Sequence, residues 1–205
     1  MPIFSIFNSE NHFIRRINCE EIDLTPNLQS GEKYLLGDYS NHYLVNNQPV
    51  QKPPRPSEYH NWDAVGKVWS ADLEGAKAAM WDKIQIERTR RKECAFPVVF
   101  GGKTYYFHGD AESRGQQQGL MAGVNLLLAT GKPLTTVLTT VPWVTKGGTN
   151  VTMTGELALT IFQTQMRREG EFFSVARAHK WAMEASAEPW NYNYSAGWPK
   201  IYEEE

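Results

Sequence analysis

The sequence predicts an α+β protein: a small β-rich N-terminal module, a Pro-rich hinge, and a helix-dominated C-terminal domain with short hairpins between its helices. Three observations predict it. The first fifty residues are short strand-like runs broken by polar turns, and Lys52-Pro-Pro-Arg-Pro56 interrupts them. From Asp72 to Ala187 the pattern then alternates helix, strand, helix, strand and helix, with a polar capping residue, Asp110 or Thr154, at each strand-to-helix junction. These features divide the chain into an attachment module (1–51), a Pro/Trp linker (52–69), an α+β domain (70–188) and an aromatic docking tail (189–205).

Ile3–Phe7 and Phe13–Ile17 flank the turn-like Asn8-Ser-Glu-Asn11 and predict a hairpin. Lys33–Leu36 and His42–Val45 predict two more short strands, after which Asn46-Asn47 turns the chain toward Pro49 and Val50. The prolines between 52 and 56 remove backbone donors and favour an extended path, hence the linker. Tyr59, Trp62 and Trp69 around Gly66 then suggest a hairpin or an irregular aromatic patch.

The first helix is expected over Leu73–Lys92, with Ser70 as N-cap and Leu73, Ala76, Met80 and Ile84 on one face. Arg88, Arg90, Arg91 and Lys92 crowd its last turns, where a solvated helix end favours cations. Val98–Phe107 reads as two short strands around Gly101-Gly102. Asp110–Thr130 is the second helix, burying Leu120, Met121, Val124, Leu127 and Leu128, and Gly131-Lys-Pro133 ends it. A second hairpin turns at Gly147-Gly148. The long helix Gly155–Ala185 buries Leu157, Ile161, Phe162, Phe172, Val175, Ala176, His179 and Met183, with Gly170 as a potential kink.

Beyond Pro189 the tail Trp190-Asn-Tyr-Asn-Tyr-Ser-Ala-Gly-Trp-Pro-Lys-Ile-Tyr202 is too aromatic for a disordered end. It should dock, on its own domain or on a neighbouring subunit. Trp190, Tyr192, Tyr194, Trp198 and Tyr202 are the candidate partner-binding anchors, because desolvated aromatic side chains dominate interface energetics.

Composition narrows the function classes. A net charge of −2 lacks the basic footprint of a general nucleic-acid binder. No run of about 18 apolar residues predicts a membrane span, and Met-Pro-Ile-Phe-Ser-Ile-Phe does not read as a secretory signal, so synthesis in the cytoplasm is expected. Cys19 and Cys94 alone make neither a disulfide framework nor a four-ligand zinc site. The five histidines show no ligand spacing, and no nucleophile elbow, phosphate loop or dinucleotide fingerprint is present, so no catalytic residue, cofactor or metal is assigned. Three readings of the remaining polar side chains stay open beside this one: His108-Gly-Asp110 as a base with its orienting carboxylate, Cys94 with His108 as a nucleophilic pair, and the tail as a sugar-stacking surface.

The run Trp81-Asp-Lys-Ile-Gln-Ile-Glu-Arg88, then Phe100-Gly-Gly-Lys-Thr-Tyr105, Asp110-Ala-Glu-Ser113, Trp143 and the helix after Thr154-Gly155 resemble a domain of unknown function common in phage tail-fibre and tail-fibre-assembly proteins. Ile14-Arg-Arg16, Gly31-Glu32, His42-Tyr43 and the stretch from Lys52-Pro-Pro-Arg-Pro-Ser57 to Trp62-Asp63 are in the style of modules that precede it. The resemblance covers the chain to about Ala187 and leaves the aromatic tail outside. It implies a structural component of a phage virion, in the tail fibre or baseplate. Such a component would be made in the host cytoplasm and hold other phage tail proteins by protein–protein contact. The cyclic symmetry of tails leads one to expect a homo-oligomer, such as a trimer. The alternatives are a tail-fibre assembly chaperone that leaves the finished particle, and a receptor- or glycan-binding module.

Overall fold

The computed structural model describes residues 1–202 and divides them into two compact units, Met1–Asp72 and Leu73 onward. The architecture is α+β: small antiparallel sheets occupy the first unit, and helices dominate the second.

In the first unit β1 (Ile3–Phe7) is the centre of a three-stranded antiparallel sheet, between β2 (Phe13–Asn18) and β3 (Lys33–Leu36). Its position explains why four of its five residues are buried. Phe4 and Ile6 pack with Leu24 against Ile17, Cys19 and Leu28. The one polar residue among them, Ser5, is fully buried, and its hydroxyl is satisfied twice. It donates to the Gly37 carbonyl (2.8 Å) and accepts from the Tyr39 N–H (2.8 Å). Arg15 and Glu32 join β2 to the start of β3 through a two-pronged ion pair, and the guanidinium holds the Glu32 carboxyl below the usual carboxylate range.

β4 (His42–Val45) and β5 (Gln48–Gln51) form a hairpin whose two turn residues, Asn46 and Asn47, both have positive φ. That is the left-handed geometry asparagine tolerates. β6 (His60–Asp63) and β7 (Val68–Ala71) form another. Lys52, Arg55 and Lys67 stack on Trp62, Trp69 and Tyr43, and the Trp69 indole donates to the Pro53 carbonyl (2.9 Å). The Pro-rich segment is therefore packed against the hairpin inside the first unit. Burial pushes the Lys52 ammonium below its ordinary range. Ser70, expected to cap the first helix, lies instead on β7, where its hydroxyl donates to the Asn61 carbonyl. Strand pairing through Ala71 wins that residue from the cap.

The second unit runs α1 (Leu73–Glu93), β8 (Phe96–Phe100), β9 (Lys103–Phe107), α2 (Ala111–Ala129), β10 (Trp143–Val144), β11 (Asn150–Val151) and α3 (Gly155–Glu184). Gly101 and Gly102, both at positive φ, make the two-residue turn that pairs Phe100 with Lys103. Asp110 caps α2 by accepting from the Ser113 N–H (2.9 Å), and Thr154 caps α3 by accepting from the Leu157 N–H (3.2 Å). At the other end of α2, the N–H groups of Gly131 and Lys132 return to Leu128 and Leu127, a Schellman ending.

One core forms where the β8–β9 hairpin, α2 and the start of α3 meet, around Phe107, Val124, Met153, Leu157 and Ile161. Leu128, expected in it, is exposed, as is Leu73 on α1. In both cases the apolar stripe is one residue narrower than the helical period allows. α3 continues through Gly170 as one helix of 30 residues.

Gly109 links β9 to α2 by passing against the end of α1. A β-carbon there would lie 2.4 Å from the Cys94 carbonyl oxygen, whereas one at Gly119, on the open face of α2, would meet nothing. Two substitutions should therefore move stability in opposite directions, read by denaturant unfolding. Gly109→Ala should cost about 1–3 kcal/mol through overpacking. Gly119→Ala should gain roughly 0.5–1 kcal/mol from helix propensity.

Candidate functional site

α1 and α3 lie antiparallel, and their apolar stripes leave a shallow core of Met80, Ile84, Ala176 and Met183. Two helices cannot enclose such a stripe. The tail completes it: Tyr192, Tyr194 and Trp198 pack on these four residues together with Trp81. Pro189–Asn191 makes one 3-10 turn beside α1 that redirects the chain back over the pair.

Polar contacts fix the tail in register. His179, one turn before Met183 on α3, uses both ring nitrogens, Nδ1 to the Tyr192 hydroxyl (2.9 Å) and Nε2 to the Ala196 carbonyl (2.9 Å). A carbonyl can only accept, so Nε2 carries the proton and donates. The Trp198 indole donates to the Tyr194 carbonyl (2.6 Å), and its ring lies 5.3 Å from the His179 ring. Arg91 sits 5.7 Å from the Trp198 ring centre and donates to Glu87 (2.6 Å) and, at 3.5 Å, to the Pro199 carbonyl. Arg168 donates to the Lys200 carbonyl (3.2 Å) while lying against Phe172. Ile201 is fully buried beyond these clamps, and Tyr202 meets Tyr106 edge-on at 4.8 Å.

The structure thus brings the five candidate anchors onto their own domain. Trp190, Tyr192, Tyr194 and Trp198 are half-buried there, and Tyr202 is 36% exposed. Arg91 is the largest departure from expectation: one of four cations assigned to a solvated helix end, it is 7% exposed. A local signal did exist, since Glu87 precedes Arg91 by one helical turn. Nothing local announces the distant ring and carbonyl that the same guanidinium reaches. The Glu87 carboxyl is held below its usual range by Arg90 first and then by Arg91.

A second feature is a cleft of about 420 Å³ at the start of α2, lined by His108, Ser113, Gln116, Leu120, Val141 and Trp143. The Asp110 carboxylate beside it is committed to Ser113, accepting from its N–H and its hydroxyl (2.8 Å), which lowers the carboxyl's pKa. Asp110 therefore does not orient His108 in the way the base-and-carboxylate reading requires. The Cys94 thiol, for its part, donates to the Arg90 carbonyl. Among the described residues no three His, Cys, Asp or Glu side chains converge as metal ligands, and no helix is long and apolar enough to cross a membrane.

A family described as a domain of unknown function (DUF4376) matches residues 75–196. The match begins inside α1, takes in the rest of the unit through α3 and continues past Ala187 into the tail, so Trp190, Tyr192 and Tyr194 belong to the matched region. No curated protein and no solved structure matches the chain.

Trp198→Ala should cost the domain roughly 2–3 kcal/mol by uncovering the α1–α3 core. Trp181→Ala, on the exposed side of the same helix (62% exposed), should change stability by less than about 0.5 kcal/mol. Thermal melts of the two variants check this.

Acid adds a further test on Asp110, whose folded pKa is depressed. Its stabilising contribution is present above the unfolded carboxylate range and is lost as pH falls through the folded pKa. The stability gap between the parent and Asp110→Ala, about 1 kcal/mol at neutral pH, should therefore close on acidification.

Proposed function

The chain belongs to the DUF4376 family, and from that premise we propose that it is a structural component of a bacteriophage tail, fibre- or baseplate-associated, that holds neighbouring tail subunits by protein–protein contacts. The phage assignment rests on the resemblance carried by Trp81–Arg88, Phe100–Tyr105, Asp110–Ser113 and Trp143. A contact role is carried by one observation: large apolar side chains remain in water on the helical unit after its core is complete. Trp181 (62% exposed), Leu126 (65%), Ile86 (69%) and Met166 (54%) are among these. Meanwhile Asp110, Glu87, Arg91, Arg168 and His179 are engaged in holding the fold.

In this reading the tail acts as the keystone of the domain, and contact falls to the exposed side chains on its outer helix faces. Several copies would work together, as the symmetry of tails requires. The test is mass spectrometry of purified particles from a phage that encodes the chain. Stoichiometric presence with other tail proteins is the expected result. Expression in infected cells combined with absence from particles would replace this reading with that of an assembly chaperone.

A further inference from the structure

α3 turns one face to α1 and the tail, and carries a second stripe that this chain leaves uncovered. Met166, Gly170, Phe173, Arg177 and Trp181 follow one another at spacings of four, three, four and four, and all five are exposed. Gly170 is the informative member. Its φ lies outside the left-handed range and a β-carbon there would touch nothing, so neither conformation nor packing within the chain calls for glycine. A glycine inside a helix costs about 1 kcal/mol relative to alanine. What it creates is a hollow of about 340 Å³ bordered by Phe173, Ser174, Arg177 and Trp181. Three residues further along the same stripe stands a ring to match it: Phe173, backed on one face by Arg88 (4.5 Å) and still 45% exposed.

We propose that α3 is a self-pairing helix: two copies of this chain meet antiparallel along Met166–Trp181, each Phe173 ring filling the hollow over the other copy's Gly170. Met166, Gly170, Phe173 and Arg177, the middle of the stripe, have the alternating four-three-four spacing of a coiled-coil seam, and in an antiparallel seam the two kinds of position face each other. A two-fold axis between Glu171 and Phe172 sets Gly170 against Phe173, Met166 against Arg177 and the half-buried Phe162, one turn before the stripe, against Trp181. A ring then meets a gap, and no like charges stand opposite in the seam. Parallel pairing fails on both counts, since it opposes Phe173 to Phe173, Arg177 to Arg177, and gap to gap. The contact is isologous, so it closes at two copies and leaves the outer faces free.

The seam from Phe162 to Trp181 is roughly 30 Å long and one helix wide, which places it among small interfaces of roughly micromolar strength. Such a contact becomes saturated when copies are held close together in an assembly. This pairing specifies the self-association within the proposed function, yet it can fail or hold independently of the particle experiment, because it is read on the purified chain alone.

The experiment is sedimentation of the full chain over a concentration series. The parent should move from 23.4 kDa toward twice that mass. Gly170→Leu fills the hollow with a better helix former, so it should raise the melting temperature at low concentration while weakening association at least tenfold. Register is read by disulfide formation in a Cys19→Ser, Cys94→Ser background. A mixture of Met166→Cys and Arg177→Cys chains should cross-link between unlike copies, and either chain alone should not. A parent that stays monomeric throughout overturns the proposal, as does a Gly170→Leu chain that associates like the parent. Cross-linking of like with like would also overturn it.

Discussion

The helical unit depends on the closure of an open helix pair by its own aromatic tail. Antiparallel helices present each other one stripe apiece, and the edge of that contact is wet unless a third element covers it. Here Tyr192, Tyr194 and Trp198 supply the cover over Met80, Ile84, Ala176 and Met183. Aromatic rings suit this place because each carries a large apolar face at little rotamer cost, while the Trp indole and Tyr hydroxyl still reach a partner. His179 and Trp198 show the result: one residue from the helix and one from the tail, each hydrogen-bonded, with rings 5.3 Å apart.

The clamps explain why so many charged groups point inward. Arg91 and Arg168 are nearly buried, and both donate to carbonyls of residues that follow Trp198. An irregular segment crossing a protein surface leaves carbonyls without ladder partners, and a guanidinium with five donors can serve several at once. Burying those guanidinium groups is in turn made tolerable by Glu87 and by the rings of Phe172 and Trp198. These two guanidinium groups thus serve the fold.

Much of this was legible from residue patterns because it is decided locally. The Gly101-Gly102 turn, the Asp110 and Thr154 caps and the glycine-ended second helix each follow from chemistry within a few positions. What could not be read was decided at a distance. Ser70 has the right chemistry for a helix cap but pairs in a strand with Asn61. Arg91 reads as a solvated helix end because its second partner lies at Pro199. The tail's aromatic character signalled docking, yet its docking place was open between its own chain and another, since rings that suit a core also suit an interface. The cleft beside His108 had no sequence signature, because its wall at Thr139, Val141 and Pro142 comes from the irregular segment before β10.

The most direct test of the keystone role of the tail is hydrogen exchange at tryptophan indoles, followed by NMR on the intact chain. The Trp198 Nε1 proton is bonded to the Tyr194 carbonyl over the helix pair, and its exchange is compared with that of a free indole. The Trp198 proton should exchange as slowly as backbone amides of Ile84 and Ala176, opening only when α1 and α3 separate. Exchange of Trp198 at the rate of a free indole would contradict the account, because the tail would then leave the helix pair without unfolding it.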